Sequence, residues 1–215
     1  MDILTTVLTW GVPLIIAIIF HEYGHVFAIR NLSVEGSPDK YLSYNPVSFV
    51  DPFGTIILPL MMILTKSPII FGWARTLYRG DALKNPKRDH VIVSSAGIIA
   101  NIVLALIAAL LLRITGASGV IALFLWALVV VNCFLAVFNL LPIPGFDGFS
   151  IISGLLPHPY DQQLASLTRY TLPIFLIIFL GIPLIFPNAN IIGAVIGPML
   201  DPLLDFFKGF ALSSV

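Results

Sequence analysis

The chain has 215 residues, 58% of them hydrophobic and 10% charged, with no net charge and a mean hydropathy of +1.01. A soluble domain carries roughly 25% charged residues, so this composition describes an integral membrane protein with little mass outside the bilayer. It holds no basic patch with interleaved aromatics, which argues against nucleic acid as a partner, and its single cysteine, Cys133, excludes an intrachain disulfide or a cysteine-rich metal site.

The first predicted element runs from Met1 to Arg30. Asp2 stands where a signal peptide would carry basic residues, and no small-residue cleavage site follows, so the segment reads as a retained spanning helix. From Ile3 to Phe20 no side chain is ionisable; then comes His21-Glu22-Tyr23-Gly24-His25. Histidines four apart lie one turn from each other on one helix face. Both imidazoles can therefore reach one metal ion with a glutamate beside them as a base, the H-E-x-x-H pattern of zinc peptidases. The bland alternative is a solvated histidine pair at a helix end, with Glu22 as a partner to His25. Ionisable groups are costly in an apolar helix and are functional by default, which favours a metal held within the membrane.

Eight of the eleven Lys and Arg residues fall between Arg30 and His90, and the positive-inside rule makes that region cytoplasmic. His21, nine residues before Arg30, then lies roughly 14 Å from the cytoplasmic end of its helix. Within the region, Phe53–Ile70 is interrupted by Pro59 and Pro68 and contains Lys66. Its clean run is too short to cross alone, so it is expected to re-enter the membrane from the cytoplasmic side.

Val91–Leu112 and Val120–Leu141 are long enough to span. Gly97, Ala100 and the alanines to Ala109 form a small-residue face suited to close helix packing. Two shorter segments, Tyr170–Phe186 and about Ile191–Phe207, are broken by Pro173, Pro183 and Pro198 and complete a set of five to six spans. Asp201 and Asp205, four apart near the C-terminus, read as solvated charges at a helix end. The whole of 1–215 is read as a single all-α domain, with a core over about 1–150 and C-terminal helices over about 168–210.

A catalytic zinc takes three protein ligands and leaves one position open for water. His90 and His158 are candidates for the third, but both sit in polar, proline-flanked loops. Asp147 lies in Asn139-Leu-Leu-Pro-Ile-Pro-Gly-Phe-Asp147-Gly148, where Pro142 and Pro144 end the helix and Gly145 permits an irregular turn. Irregular backbone at membrane depth is tolerated where it is buried in protein or lines a wet cavity. Asp-Gly is also an ordinary turn signal; agreement in depth with His21 and His25 favours Asp147 as the ligand.

At these residues the sequence resembles the site-2 protease family of intramembrane zinc metalloproteases, over roughly Ile15 to Gly148. HEYGH is similar to the family's H-E-x-G-H helix, and NLLPIPGFDG to its N-x-x-P…D-G element. The resemblance implies His21, His25 and Asp147 as ligands of one zinc ion, Glu22 as the catalytic base and Asn139 as a polar residue of the substrate cleft. Asn45-Pro46…Asp51-Pro52-Phe53-Gly54 and Phe71-Gly72-Trp73-Ala74 resemble bacterial members, which place a membrane-associated β-hairpin there. Two departures stand out: Ile98 replaces the proline of A-G-P-x-x-N in Ala96–Asn101, and Arg75-Thr76-Leu77-Tyr78 replaces a proline-rich stretch. With no PDZ- or CBS-sized insertion, the chain resembles a minimal form.

The resemblance implies a protease of the prokaryotic cell membrane, with its active site towards the cytoplasm, that cleaves transmembrane protein substrates in or near their helices. A membrane metal-binding or metal-transport protein without hydrolysis is the alternative; it needs the metal but not Glu22. A pseudoprotease that only retains helices fits less well with an intact H-E-x-x-H.

Overall fold

The computed structural model describes residues 7–57, 60, 76, 78–178, 185 and 191–212. These are helical, apart from loops and one isolated antiparallel bridge between Ser33 and Leu83. Helix α1 (Val12–Leu32) is preceded by a π-helical turn, Val7–Gly11. Short 3-10 turns and a π-helical turn at Pro52–Ile57 follow, then α2 (Pro86–Thr115) and α3 (Gly119–Asn139). The shorter α4 (Asp147–Leu155), α5 (Tyr160–Ala165) and α6 (Thr171–Leu176) precede a last long helix, α7 (Ile191–Leu212). Most of Phe53–Ile70 lies outside the described residues, so the re-entrant expectation is not addressed there; the same holds for much of Tyr170–Phe186.

Among the described residues, three helices are long and apolar enough to cross a membrane: Leu8–Leu32, Pro86–Thr115 and Gly119–Asn139. Helix α2 exceeds the apolar run Val91–Leu112 at both ends, and local chemistry explains why. Pro86 occupies a first-turn position, where a missing N–H costs nothing. The Asp89 carboxylate accepts from the Asn85 N–H at 2.8 Å, closing the first turn. Gly116, at φ 56°, ends the helix in the left-handed conformation that glycine adopts freely.

Helices α1 and α2 run antiparallel, with Ala28 and Ile29 against Val93 and Gly24 against Ala96 and Ala100. A Cβ at Gly24 would overlap the Ala96 carbonyl, so this glycine sets how closely the two helices approach. Leu14, Ala17 and Ile18 of α1 pack on Val131 and Leu135 of α3. Farther from His21, Ala105, Ala108, Ala109 and Leu112 meet Leu128, Val129 and Cys133, with Phe207 and Ala211 of α7 closing the cluster. The small-residue face of α2 packs as the sequence leads one to expect, and Cys133 is buried against it.

The exposed surface is apolar where a soluble domain would be polar. Ile99, Val103, Leu106, Leu110 and Ile114 form an exposed stripe at helical spacing along α2, while His21, Glu22, His25, Asn101 and Asn132 are buried. An apolar exterior, with the few ionisable and amide groups held inside, is what lipid as solvent selects. The chain is an all-α integral membrane protein.

Candidate metal centre

His21, Glu22 and His25 are all buried on α1, and their ligand-capable atoms lie within 4.8 Å of one another. Gly97 on α2 makes room for them: a Cβ there would overlap both imidazoles. Through the gap that Gly97 leaves, His25 Nδ1 reaches the Val93 carbonyl at 2.8 Å. His21 Nδ1 meets Asn101 Oδ1 at 2.7 Å. A carbonyl oxygen only accepts, so both imidazoles carry their proton on Nδ1 when neutral. Each Nε2 then presents a lone pair, and the two stand 3.0 Å apart.

Asp147 completes the arrangement. Helix α3 ends near Asn139, and the chain passes Pro142 and Pro144 before turning at Gly145, whose φ is 94°. Gly148 then packs so closely on the end of α3 that a Cβ would overlap the Leu140 carbonyl. Glycine at both positions lets α4 start inside the protein, with Asp147 in its first turn. Asp147 Oδ2 lies 3.1 Å from His21 Nε2 and 3.5 Å from His25 Nε2. This oxygen is buried and, among the described residues, has no hydrogen-bond donor.

The residues fit a zinc ion. Ligand atoms ~2.0–2.1 Å from a tetrahedral ion lie about 3.3 Å apart, and the three separations here are 3.0, 3.1 and 3.5 Å. Two imidazole Nε2 atoms and a carboxylate oxygen converging on one buried point are a donor set that a divalent cation satisfies together.

Glu22, on the same turn, lies beside this triangle. The Thr76 hydroxyl donates to Glu22 Oε2 at 2.6 Å, a contact that sequence reading did not find because 54 residues separate the partners. Asn132 was likewise missed, and Asn101 was noted only as part of a motif.

The other candidates lie elsewhere. Burial pushes the Tyr78 phenol above its ordinary range, and its hydroxyl is hydrogen-bonded with His90 Nδ1 at 2.5 Å. His158, largely exposed, pairs with Asp161 at 3.5 Å. Neither joins the cluster. Asn139 Nδ2 donates to the Leu135 carbonyl of its own helix at 3.0 Å, and its side chain is half-buried.

Comparison with known proteins gives a consistent picture. The description "Peptidase family M50" matches residues 114–180, a stretch that contains Asn139 and Asp147 but not the His21–His25 helix. The protein named "Putative zinc metalloprotease YwhC" of Bacillus subtilis is 32% identical over 193 residues, covering 83% of this chain and 84% of that protein. "Putative zinc metalloprotease Rip2" of Mycobacterium tuberculosis is 28% identical over 185 residues, 78% of this chain and 64% of the relative. Its namesake in Mycolicibacterium smegmatis is 31% identical over 163 residues, 73% and 60% respectively. The chain thus spans less than two thirds of the two Rip2 proteins. No solved structure gives a significant match.

Proposed function

This chain belongs to peptidase family M50, the site-2 protease family of intramembrane zinc metalloproteases, and we propose that His21, His25 and Asp147 hold its zinc while Glu22 acts as its base. The observation that carries this reading is the triangle of Nε2, Nε2 and Oδ2 at 3.0–3.5 Å, the spacing of ligand atoms around one tetrahedral zinc. When bound there, zinc supplies a Lewis acid for the scissile carbonyl and a water acidified towards neutral pH.

The chain's own groups do the rest. The Glu22 carboxylate accepts the proton of the attacking water and returns it to the leaving amine. Thr76 holds that carboxylate in one orientation. The proposed substrates are transmembrane helices of other proteins, whose carbonyls are tied up in hydrogen bonds until the helix unwinds. Asn139, at the frayed end of α3, is the proposed polar contact for such an unwound strand. Five to six spans, a re-entrant hairpin before α2 and an active site opening to the cytoplasm of a prokaryotic cell complete the proposal. The sequence pattern supports these through the positive residues between Arg30 and His90.

Zinc content of the purified protein tests the ligand set. The wild type should hold about one zinc per chain, and Asp147→Ala should lose most of it. Undiminished zinc in Asp147→Ala would remove Asp147 from the site and reopen His90 and His158.

A further inference from the structure

Buried behind His21 is a chain of carboxamides that the reaction itself does not use. Asn101 and Asn132 are each 0% exposed, in the middle of helices that otherwise offer little but apolar side chains. Two such groups are expensive unless every polar atom is matched, and here they are. Asn132 Nδ2 donates to the Leu128 carbonyl at 2.8 Å, one turn back on α3. That bond fixes which way the Asn132 amide faces, so its oxygen points to α2. Asn101 Nδ2 donates to this oxygen at 2.8 Å and also to the Ala17 carbonyl of α1 at 3.1 Å. Both amide protons of Asn101 are thereby used, and both acceptors are oxygens. Only Oδ1 is left to face His21 Nδ1 at 2.7 Å. An oxygen with no proton can pair with that nitrogen only if the nitrogen carries one.

We infer that Asn132 and Asn101 form a positioning relay that holds His21 as the Nδ1–H tautomer, with its Nε2 lone pair aimed where Asp147 and His25 converge. The inference rests on the metal-site reading given above. The direction of the relay is set by two backbone carbonyls, Leu128 and Ala17, whose roles cannot reverse. It crosses from α3 through α2 to α1, so the tautomer of one imidazole depends on how all three helices pack. His25 has no such relay; a single backbone carbonyl, that of Val93, sets its tautomer. Ring nitrogens that do not touch the metal ordinarily donate to a carboxylate, a carbonyl or water. A carboxamide whose own orientation is fixed by a second carboxamide serves the same end without placing a further charge in the membrane.

The alternative is that the two asparagines merely glue the helices together, since interhelical carboxamides do this in membranes. The tautomer distinguishes the two. In metal-free protein labelled with 15N-histidine, the wild-type His21 ring should give the Nδ1–H pattern. Asn101→Leu, close in size, should shift His21 to a mixture rich in Nε2–H, the form an unconstrained histidine side chain prefers, and leave His25 unchanged. Zinc affinity by chelator competition should fall roughly 10–100-fold. Asn132→Leu should give an intermediate mixture, and it carries the test if Asn101→Leu does not fold. A wild-type tautomer and affinity in folded Asn101→Leu, or in Asn132→Leu if it must stand in, would overturn the relay. An equal change of the His25 tautomer in Asn101→Leu would point to general packing and overturn it equally. Absence of zinc from the wild type would instead overturn the metal site, while the tautomer measurement would still report on the relay.

Discussion

The same helices build two halves of unlike character. Away from the site, α2, α3 and α7 meet mainly through apolar side chains, Ala105, Ala108, Ala109, Val129, Cys133 and Phe207 among them. Around His21 the contacts between helices are polar instead: imidazole to carboxamide, carboxamide to carboxamide, and carboxylate to two imidazoles. In lipid, small apolar faces associate through close packing and dispersion, and they specify little beyond proximity. Hydrogen-bonded groups at the other half fix orientation as well as distance. The chain thus separates what holds the helices together from what aims the side chains.

That separation can be broken at Gly97. Gly97→Ala would drive a methyl group into both imidazoles. A displacement of reacting groups by about 1 Å costs on the order of 10²-fold in rate, so cleavage of a single-span substrate should fall by at least that. Zinc affinity should fall with it, while the thermal midpoint of the metal-free protein changes little. Retained activity in Gly97→Ala would mean the imidazoles do not sit as described.

The other half predicts the opposite pattern. Ala109 is fully buried in the apolar cluster, and Ala109→Leu should overpack it at a cost of about 1–3 kcal/mol. Thermal unfolding in detergent should register that loss, whereas zinc stoichiometry and cleavage per folded molecule should hold. An equal loss of zinc in Ala109→Leu would show that the halves are mechanically coupled rather than separate.

The division also explains what could be read from sequence. His21, Glu22 and His25 were legible because one helix turn carries all three, so local spacing suffices. Asp147 was legible because prolines and glycines mark where a helix must break at the right depth. The ends of α2 were legible only in part: the apolar run stops short of Asn85-Pro86 and Gly116, and those capping residues, not hydropathy, set its limits. Asn101 and Asn132 stand out as polar residues in apolar helices. Their partners, however, are fixed by how three helices pack, which no local period encodes. Asn139, expected at the substrate cleft, donates to its own helix at Leu135, as a side chain four residues along a helix can.

The central claim is that three side chains hold the metal while Glu22 moves the proton. Glu22→Gln keeps the size of the side chain and removes its ability to accept a proton at neutral pH. Zinc content and cleavage of a single-span membrane substrate, measured on the same preparation of Glu22→Gln, test the claim most directly. Zinc should stay at about one per chain, with cleavage reduced by ~10²–10⁴-fold. Loss of zinc would make Glu22 a ligand, and full cleavage with zinc retained would remove it from the mechanism.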